Sequence, residues 1–204
     1  MVDAHLYVEG GGDHNKALRT ACREGFRKLL ERVGLSGRMP RIVACGTRRA
    51  AYDDFCMAKE TSTSLAVLLV DAEAPVTDKS PWAHVKARQG DGWDKPGTAT
   101  DDHLHLMVQC MESWFLADRD AMRRFFGQGF RDNALPAPTA TLEAVGKADL
   151  YARLESATRN TKTKGAYGKG EHSFKLLATL DPALIRAASP SAERFFATIR
   201  RVLP

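Results

Sequence analysis

The sequence predicts an α/β protein: a central, mainly parallel sheet of about four strands flanked by helices, with a helical C-terminal extension packed on it. Three features predict this. Short apolar runs stop abruptly at glycines or acids, as strands buried on both faces do. Amphipathic segments with apolar residues at helical spacing lie between them. The order strand–helix–strand–helix–strand, joined by right-handed crossovers, makes the sheet parallel. The α/β core is expected over residues 1–126 and the extension over residues 142–204 of the 204-residue chain.

The first strand is His5-Leu6-Tyr7-Val8, ending at Glu9 and the turn Gly10-Gly11-Gly12-Asp13. A helix follows, with Ala17, Leu18, Ala21, Cys22, Phe26, Leu29 and Leu30 on its apolar stripe and Lys16, Arg19, Arg23, Arg27 and Lys28 among its polar residues. Gly34 closes it as a C-terminal cap. The second strand, Ile42 to Cys45, ends at Gly46-Thr47, and a helix runs from about Arg48 to Lys59. The third strand, Leu65 to Val70, ends at Asp71-Ala72-Glu73. Pro81 to Arg88 reads as a short helix, and Gln89 to Asp102 as a loop long enough to be functional or mobile. Leu104 to Val108 is the fourth strand, with Glu112 to Leu116 directly after it and a helix over Asp120–Phe126. The segment 127–141, rich in proline, glycine and alanine, reads as the connection to the extension. There, helices are expected over Lys147–Ala157 and Glu171–Thr179, and after the cap signals Asp181-Pro182 and Ser189-Pro190.

Composition narrows the class of protein. Lys and Arg number 30 against 25 Asp and Glu, a net charge of +5, so a polyanionic partner is permitted without being demanded. No apolar run is long enough to span a bilayer and no signal-peptide core follows Met1, so no membrane association and a cytoplasmic location are expected. Cys22, Cys45, Cys56 and Cys110 are widely spaced and read as buried thiols rather than a zinc or disulfide framework.

The chemistry concentrates at the strand ends. In an open α/β sheet, ligands gather beyond the carboxyl ends of the strands. Glu9, Asp71 and Glu73 therefore converge if the first and third strands are neighbours. Three carboxylates repel one another, and a hard divalent cation such as Mg²⁺, which takes oxygen ligands, relieves that repulsion. Glu112, directly after the fourth strand, is a candidate fourth ligand or a helix-start carboxylate. Asp13 and Asp118 read as helix caps. His103 and His105 alternate along a strand and read as edge residues before they read as ligands, and His172 has no visible partner. The basic loop 160–170, with Arg159, Lys162, Lys164, Lys169 and Tyr167, suits a phosphate backbone. Arg48 and Arg49 follow the second strand's turn and are placed to rim the same edge, and Lys175 is placed to point back at the acids.

Glu9-Gly10-x-x-Asp13, Gly46-Thr47 and Asp71-x-Glu73 resemble the Toprim (topoisomerase–primase) domain over about residues 3–75. The segments Met107–Phe115 and Lys169–Phe174 resemble a family of small stand-alone bacterial Toprim-like proteins related to the Toprim domains of OLD-type nucleases. The resemblance implies a Rossmann-like Toprim fold and a Mg²⁺- or Mn²⁺-dependent nuclease cutting DNA or RNA. Glu9 would be the general acid/base or a metal ligand, Asp71 and Glu73 the metal pair, and Lys175 a charge stabiliser. The chain departs from the family's DxD pattern at Glu73, one methylene longer than Asp. The family context also implies an ATPase partner in phage defence, with a non-catalytic subunit of such a pair as the alternative. A homo-oligomer stays open.

Overall fold

The computed structural model describes residues 3–12, 15–138 and 141–203. Four strands form one parallel sheet: β1 (Ala4–Val8), β2 (Arg41–Ala44), β3 (Leu65–Asp71) and β4 (Leu104–Met107), in the order β2-β1-β3-β4. Val8 pairs with Ala44 on one side and Leu69 on the other, and Asp71 pairs with Met107. The chain leaves β1 in one direction to reach β2, then crosses back to β3. The β1–β3 boundary is thus where the strand order reverses, the place where open α/β sheets form a crevice.

Period-two alternation assigns the two faces. Leu6, Val8, Ile42, Ala44, Val67, Leu69 and Met107 face one core. Tyr7, Val43, Leu68, Val70, Leu104 and Leu106 face the other. On the second face lie Phe55 of α2 (Arg48–Thr61) and Trp82 of α3 (Pro81–Ala87). On the first face lies α1 (Lys16–Leu30), with Cys22, Phe26, Leu29 and Leu30 buried. Each large side chain so buried contributes roughly 1.5–3 kcal/mol.

The remaining helices share that first core. They are α4 (Arg119–Phe126), α5 (Lys147–Thr158), α6 (Lys169–Leu177), α7 (Pro182–Ala188) and α8 (Pro190–Val202). Leu150, Leu176, Ile185 and Phe196 belong to the same apolar cluster as Leu6 and Phe26. The C-terminal helices therefore complete one layer of the sandwich. Helix α6 lies so close to α1 that a Cβ on Gly25 would stand 2.7 Å from the Phe174 carbonyl oxygen. Arg32 and Arg38 donate to the carbonyls of Leu180 and Leu203 at 2.8 and 3.0 Å.

Several expectations hold and others change. Gly34, at φ 84°, ends the first helical stretch, and Asp118, Asp181 and Ser189 cap α4, α7 and α8. The cap of α1 is Asn15, and Asp13 lies outside the described residues. Three cysteines are buried, while Cys56 is half-buried. His105 lies on the edge strand but is not solvated. It is fully buried, because α8 covers β4: Arg194 approaches its Nδ1 at 3.3 Å and the Asp102 carbonyl accepts from Nε2 at 3.1 Å. His103 is not on the strand at all; it lies in the short turn before it, its Nδ1 accepting from Thr100 N. The long loop is anchored: Trp93 stacks on Tyr52 with ring centroids 4.5 Å apart, and Asp91 meets Arg48. No helix among the described residues is long and apolar enough to cross a membrane.

Candidate metal and catalytic site at the strand ends

β1 delivers Glu9 and β3 delivers Asp71 to the crevice between them, and the turn after β3 adds Glu73. One carboxylate oxygen from each lies within 4.8 Å of the others. The backbone fixes this arrangement. The Asp71 N–H donates to Glu9 Oε2 at 3.1 Å, and the Met111 N–H donates to Asp71 Oδ1 at 2.8 Å. Glu73 sits at φ 66°, a left-handed conformation that non-glycine residues adopt at a cost. Its N–H donates to the Gln109 carbonyl at 2.7 Å, which holds the turn. His84 supports the same turn by donating from Nε2 to the Ala72 carbonyl at 2.9 Å.

Two cations meet these acids. Lys147, the first residue of α5, donates to Glu73 Oε1 at 2.5 Å and to Asp71 Oδ2 at 3.3 Å. Gln109 holds it there: its Oε1 accepts from the Lys147 N–H and its Nε2 donates to the Glu143 carbonyl, both at 3.4 Å. Arg48 reaches within 3.8 Å of Glu9 and donates to the Asp71 carbonyl. The rest of its guanidinium grips Asp91 at 2.7 Å and lies over Trp93.

Burial dominates the protonation of these acids. It pushes Asp71 up to about 7, with the charges of Glu9 and Glu112 adding to the effect and Lys147 opposing it. Burial also raises Glu9, against the lowering influence of Arg48 and the Asp71 N–H. Burial works to lower Lys147, but the carboxylates of Asp71 and Glu73 outweigh it and hold the ammonium firmly protonated.

In front of the acids is a cleft of about 340 Å³ lined by Glu9, Asp71, Glu112, Lys169, Ser173 and the turn Gly10–Gly12. The turn needs its glycines: Gly10 has φ 126°, and a Cβ there would stand 2.8 Å from the Phe174 ring. Gly10 and Gly46 exchange backbone hydrogen bonds at 2.9 Å, joining the exits of β1 and β2. Glu112 is fully buried at the cleft wall. Its Oε1 accepts from the hydroxyls of Tyr167 and Ser173, each at 3.1 Å, and its Oε2 has no partner among the described residues. Burial and then the Glu112 charge raise both Tyr151 and Tyr167, so these hydroxyls stay protonated.

The structure brings together Glu9, Asp71, Glu73, Glu112 and Lys169. It does not bring Lys175. On α6, Lys175 follows Ser173 by about 200° of rotation, so it is exposed on the outer side beside α1. Arg48 does stand at the site, 3.8 Å from Glu9, with the rest of its guanidinium turned onto Asp91. Arg49 is exposed and paired with Asp53 at 2.9 Å. Arg159, Lys162 and Lys164 are exposed on the loop, with Lys164 over the Phe125 ring. His172 has a partner after all, the Gly168 N–H, which donates to its Nδ1 at 2.9 Å. Lys147, Gln109 and Asp91 are the residues that sequence reasoning missed. The one local signal was Lys147 at a helix start, where the helix dipole disfavours a cation.

No curated protein and no solved structure matches the chain. One family model does, over residues 8–200, which includes every residue of the cleft, and the chain belongs to that family, described as a domain of unknown function (DUF4276).

Proposed function

We propose that the protein is a divalent-cation-dependent phosphodiesterase of the Toprim type, a nuclease acting on DNA or RNA. The observation that carries this reading is the convergence of Glu9, Asp71 and Glu73 within 4.8 Å at the point where the strand order reverses. The donor set fits Mg²⁺ or Mn²⁺: all three ligands are hard carboxylate oxygens, and a cationic group, the Lys147 ammonium, already bridges two of them. Such a cation, when bound, supplies charge neutralisation at a phosphodiester and a more acidic bound water.

The chain's own groups have separate tasks. Asp71 and Glu73 would hold the cation. Glu9, raised by burial, would either join them as a ligand or accept and return a proton. Gly10–Gly12 leave the mouth free of side chains, so a phosphate can approach the backbone closely. Lys169 at the mouth, and Arg159, Lys162 and Lys164 on the adjoining loop, offer positive charge to a polyanion. A second reading rests on Lys147. Its ammonium neutralises Asp71 and Glu73 without a metal, as a non-catalytic subunit assembling with an ATPase would allow.

The test is cleavage of labelled single- and double-stranded DNA and RNA with Mg²⁺ or Mn²⁺. Activity that is lost in both Glu9→Gln and Asp71→Asn is expected. Cleavage that persists in both variants would sink the nuclease reading; no cleavage with any metal, together with co-purification of an ATPase, would favour the second.

A further inference from the structure

Beside the cleft runs a second groove, of about 600 Å³, that none of the residues discussed so far explains. Its floor is β2, the edge strand of the sheet, and one wall is the outer face of α1. Arg19, Arg23 and Arg27 line that wall at four-residue spacing, so their side chains stack along one side of the helix, about 6 Å apart. Arg41 faces them from the strand, and Asp54 is the one acid among the described residues of the lining.

The groove opens where the cleft ends. Arg19 donates from Nε to the Gly12 carbonyl at 3.2 Å. A Cβ on Gly11 would touch both Arg19 and Ala44, which line the groove, while Gly11 and Gly12 line the cleft. The glycine turn is therefore a shared wall, with acids on one side and arginines on the other. Arg23 and Arg27 have only weak competing partners among the described residues. Arg27 pairs with Glu31, and Arg23 donates to the Thr20 hydroxyl, both on the exposed surface.

We propose that the groove lined by Arg23, Arg27 and Arg41, beside the glycine turn, is the track that holds the phosphate backbone of a nucleic-acid strand leading into the acidic cleft. This rests on the nuclease reading for what happens in the cleft, but not for the binding itself. Charge complementarity selects the occupant. Three guanidiniums, those of Arg23, Arg27 and Arg41, against one carboxylate among the described residues of the lining suit a repeating anion, and guanidinium matches phosphate in a two-point fork. The arginines of α1 are about 6 Å apart over about 12 Å, so the wall is long enough for about three successive phosphates of one strand. Among the described residues no aromatic side chain lines the groove, so the track reads backbone without sequence.

The experiment separates this proposal from the nuclease reading. Binding of a fluorescent single-stranded oligonucleotide, and of a duplex, is measured by anisotropy in EDTA across a salt series. The full chain is compared with the triple variant Arg23→Gln/Arg27→Gln/Arg41→Gln. Arg19 is left in place because it bonds the turn. Three lost phosphate contacts should flatten the log–log salt slope for the single strand by about 2, at ~0.7 per contact. The Arg→Lys triple variant should keep most of the slope, which separates charge from folding. Hydrolysis of bis-p-nitrophenyl phosphate with Mn²⁺, too small to need the track, should be unchanged in the Gln variant. An unaltered slope and affinity in that variant would overturn the track, whether or not the wild type cleaves. So would loss of binding to a poly-glutamate peptide with nucleic-acid binding intact, since the groove would then serve an acidic protein segment. A flattened slope in a chain that cleaves nothing would uphold the track and refute the nuclease.

Discussion

The cleft holds its carboxylates in two different ways. Glu9, Asp71 and Glu73 are met by cations, Arg48 and Lys147. Glu112, in the wall of the same cleft, is met by neutral hydroxyls, and one of its oxygens has no partner among the described residues. A carboxylate balanced by a lysine ammonium can exchange that cation for another. A carboxylate balanced by hydroxyls has no cation to exchange and acts on its neighbours through its charge. The difference separates the acids that would bind a metal from the one that shapes the field around it. Substitutions at three positions in the cleft, and one outside it that sets a scale, probe it, beginning where the effect is greatest.

Asp71→Asn removes a charge from the cluster while keeping the acceptor for the Met111 N–H. Loss of an outer partner typically costs 10–100-fold in metal affinity, so loss of a ligand should cost at least about 100-fold, in Mn²⁺ affinity by calorimetry and in cleavage rate alike. A smaller loss would place the cation elsewhere.

Lys147→Met leaves Asp71 and Glu73 without their ammonium. Breaking a fully buried ion pair costs about 3–5 kcal/mol; with Lys147 and Glu73 partly exposed, about 2–3 kcal/mol of stability is expected in EDTA. The variant should regain more than the wild type when Mg²⁺ is added, because the metal no longer competes with the lysine. Thermal melts with and without Mg²⁺ measure this, and an equal metal-induced shift in the two proteins would show that lysine and metal do not share the site.

His105, buried outside the cleft, supplies a scale for what burial alone does to a titrating group. Burial, with Arg194 alongside, lowers it to about 3. Between that value and the unfolded value of about 6.5 the unfolded chain binds the extra proton, so stability falls as pH drops through this window. At pH 5 the loss is about 2 kcal/mol, from ~1.4 kcal/mol per pH unit. His105→Gln keeps a donor and an acceptor without titrating and should remove that loss, read from urea denaturation at pH 7 and pH 5. Asp71, raised instead of lowered, acts in the opposite sense over part of the same range and cancels in the difference between the two proteins. Identical pH slopes would mean that His105 is protonated in the folded chain.

The fold was legible in the sequence because its signals are local. Apolar runs, glycine turns and helical stripes each fall within about fifteen residues, and Glu9 and Asp71 declared themselves by ending such runs. What places Lys147 is not local. It lies 76 residues from Asp71 and reaches it only because Gln109 and Glu143 pin the start of α5 to the sheet edge. Arg48 sits at a helix start, where exposure is the ordinary expectation, until Asp91 and Trp93 of the long loop close over it. Lys175 misled because its distance along the chain from Ser173 is small while its angle around α6 is large. Arg19, Arg23 and Arg27 read as the solvated side of an amphipathic helix, and only the edge position of β2 turns that side into one wall of a groove.

The smallest effect is expected at Glu112, and it is the most discriminating. In Glu112→Gln the amide oxygen still accepts from Tyr167 and Ser173, and the unpartnered position passes from a carboxylate oxygen to a neutral NH₂. Stability should therefore stay within about 1 kcal/mol of wild type, whereas Glu112→Ala strands two buried hydroxyls and should lose about 1–3 kcal/mol. Metal affinity in the Gln variant should fall by less than about tenfold, the low end for a group outside the ligand shell. A 100-fold loss, matching Asp71→Asn, would put the free Glu112 oxygen on the metal itself and erase the distinction between the two ways of holding a carboxylate. An affinity that falls only slightly while the protein stays folded would leave Glu112 as the fixed charge that sharpens the field at Asp71.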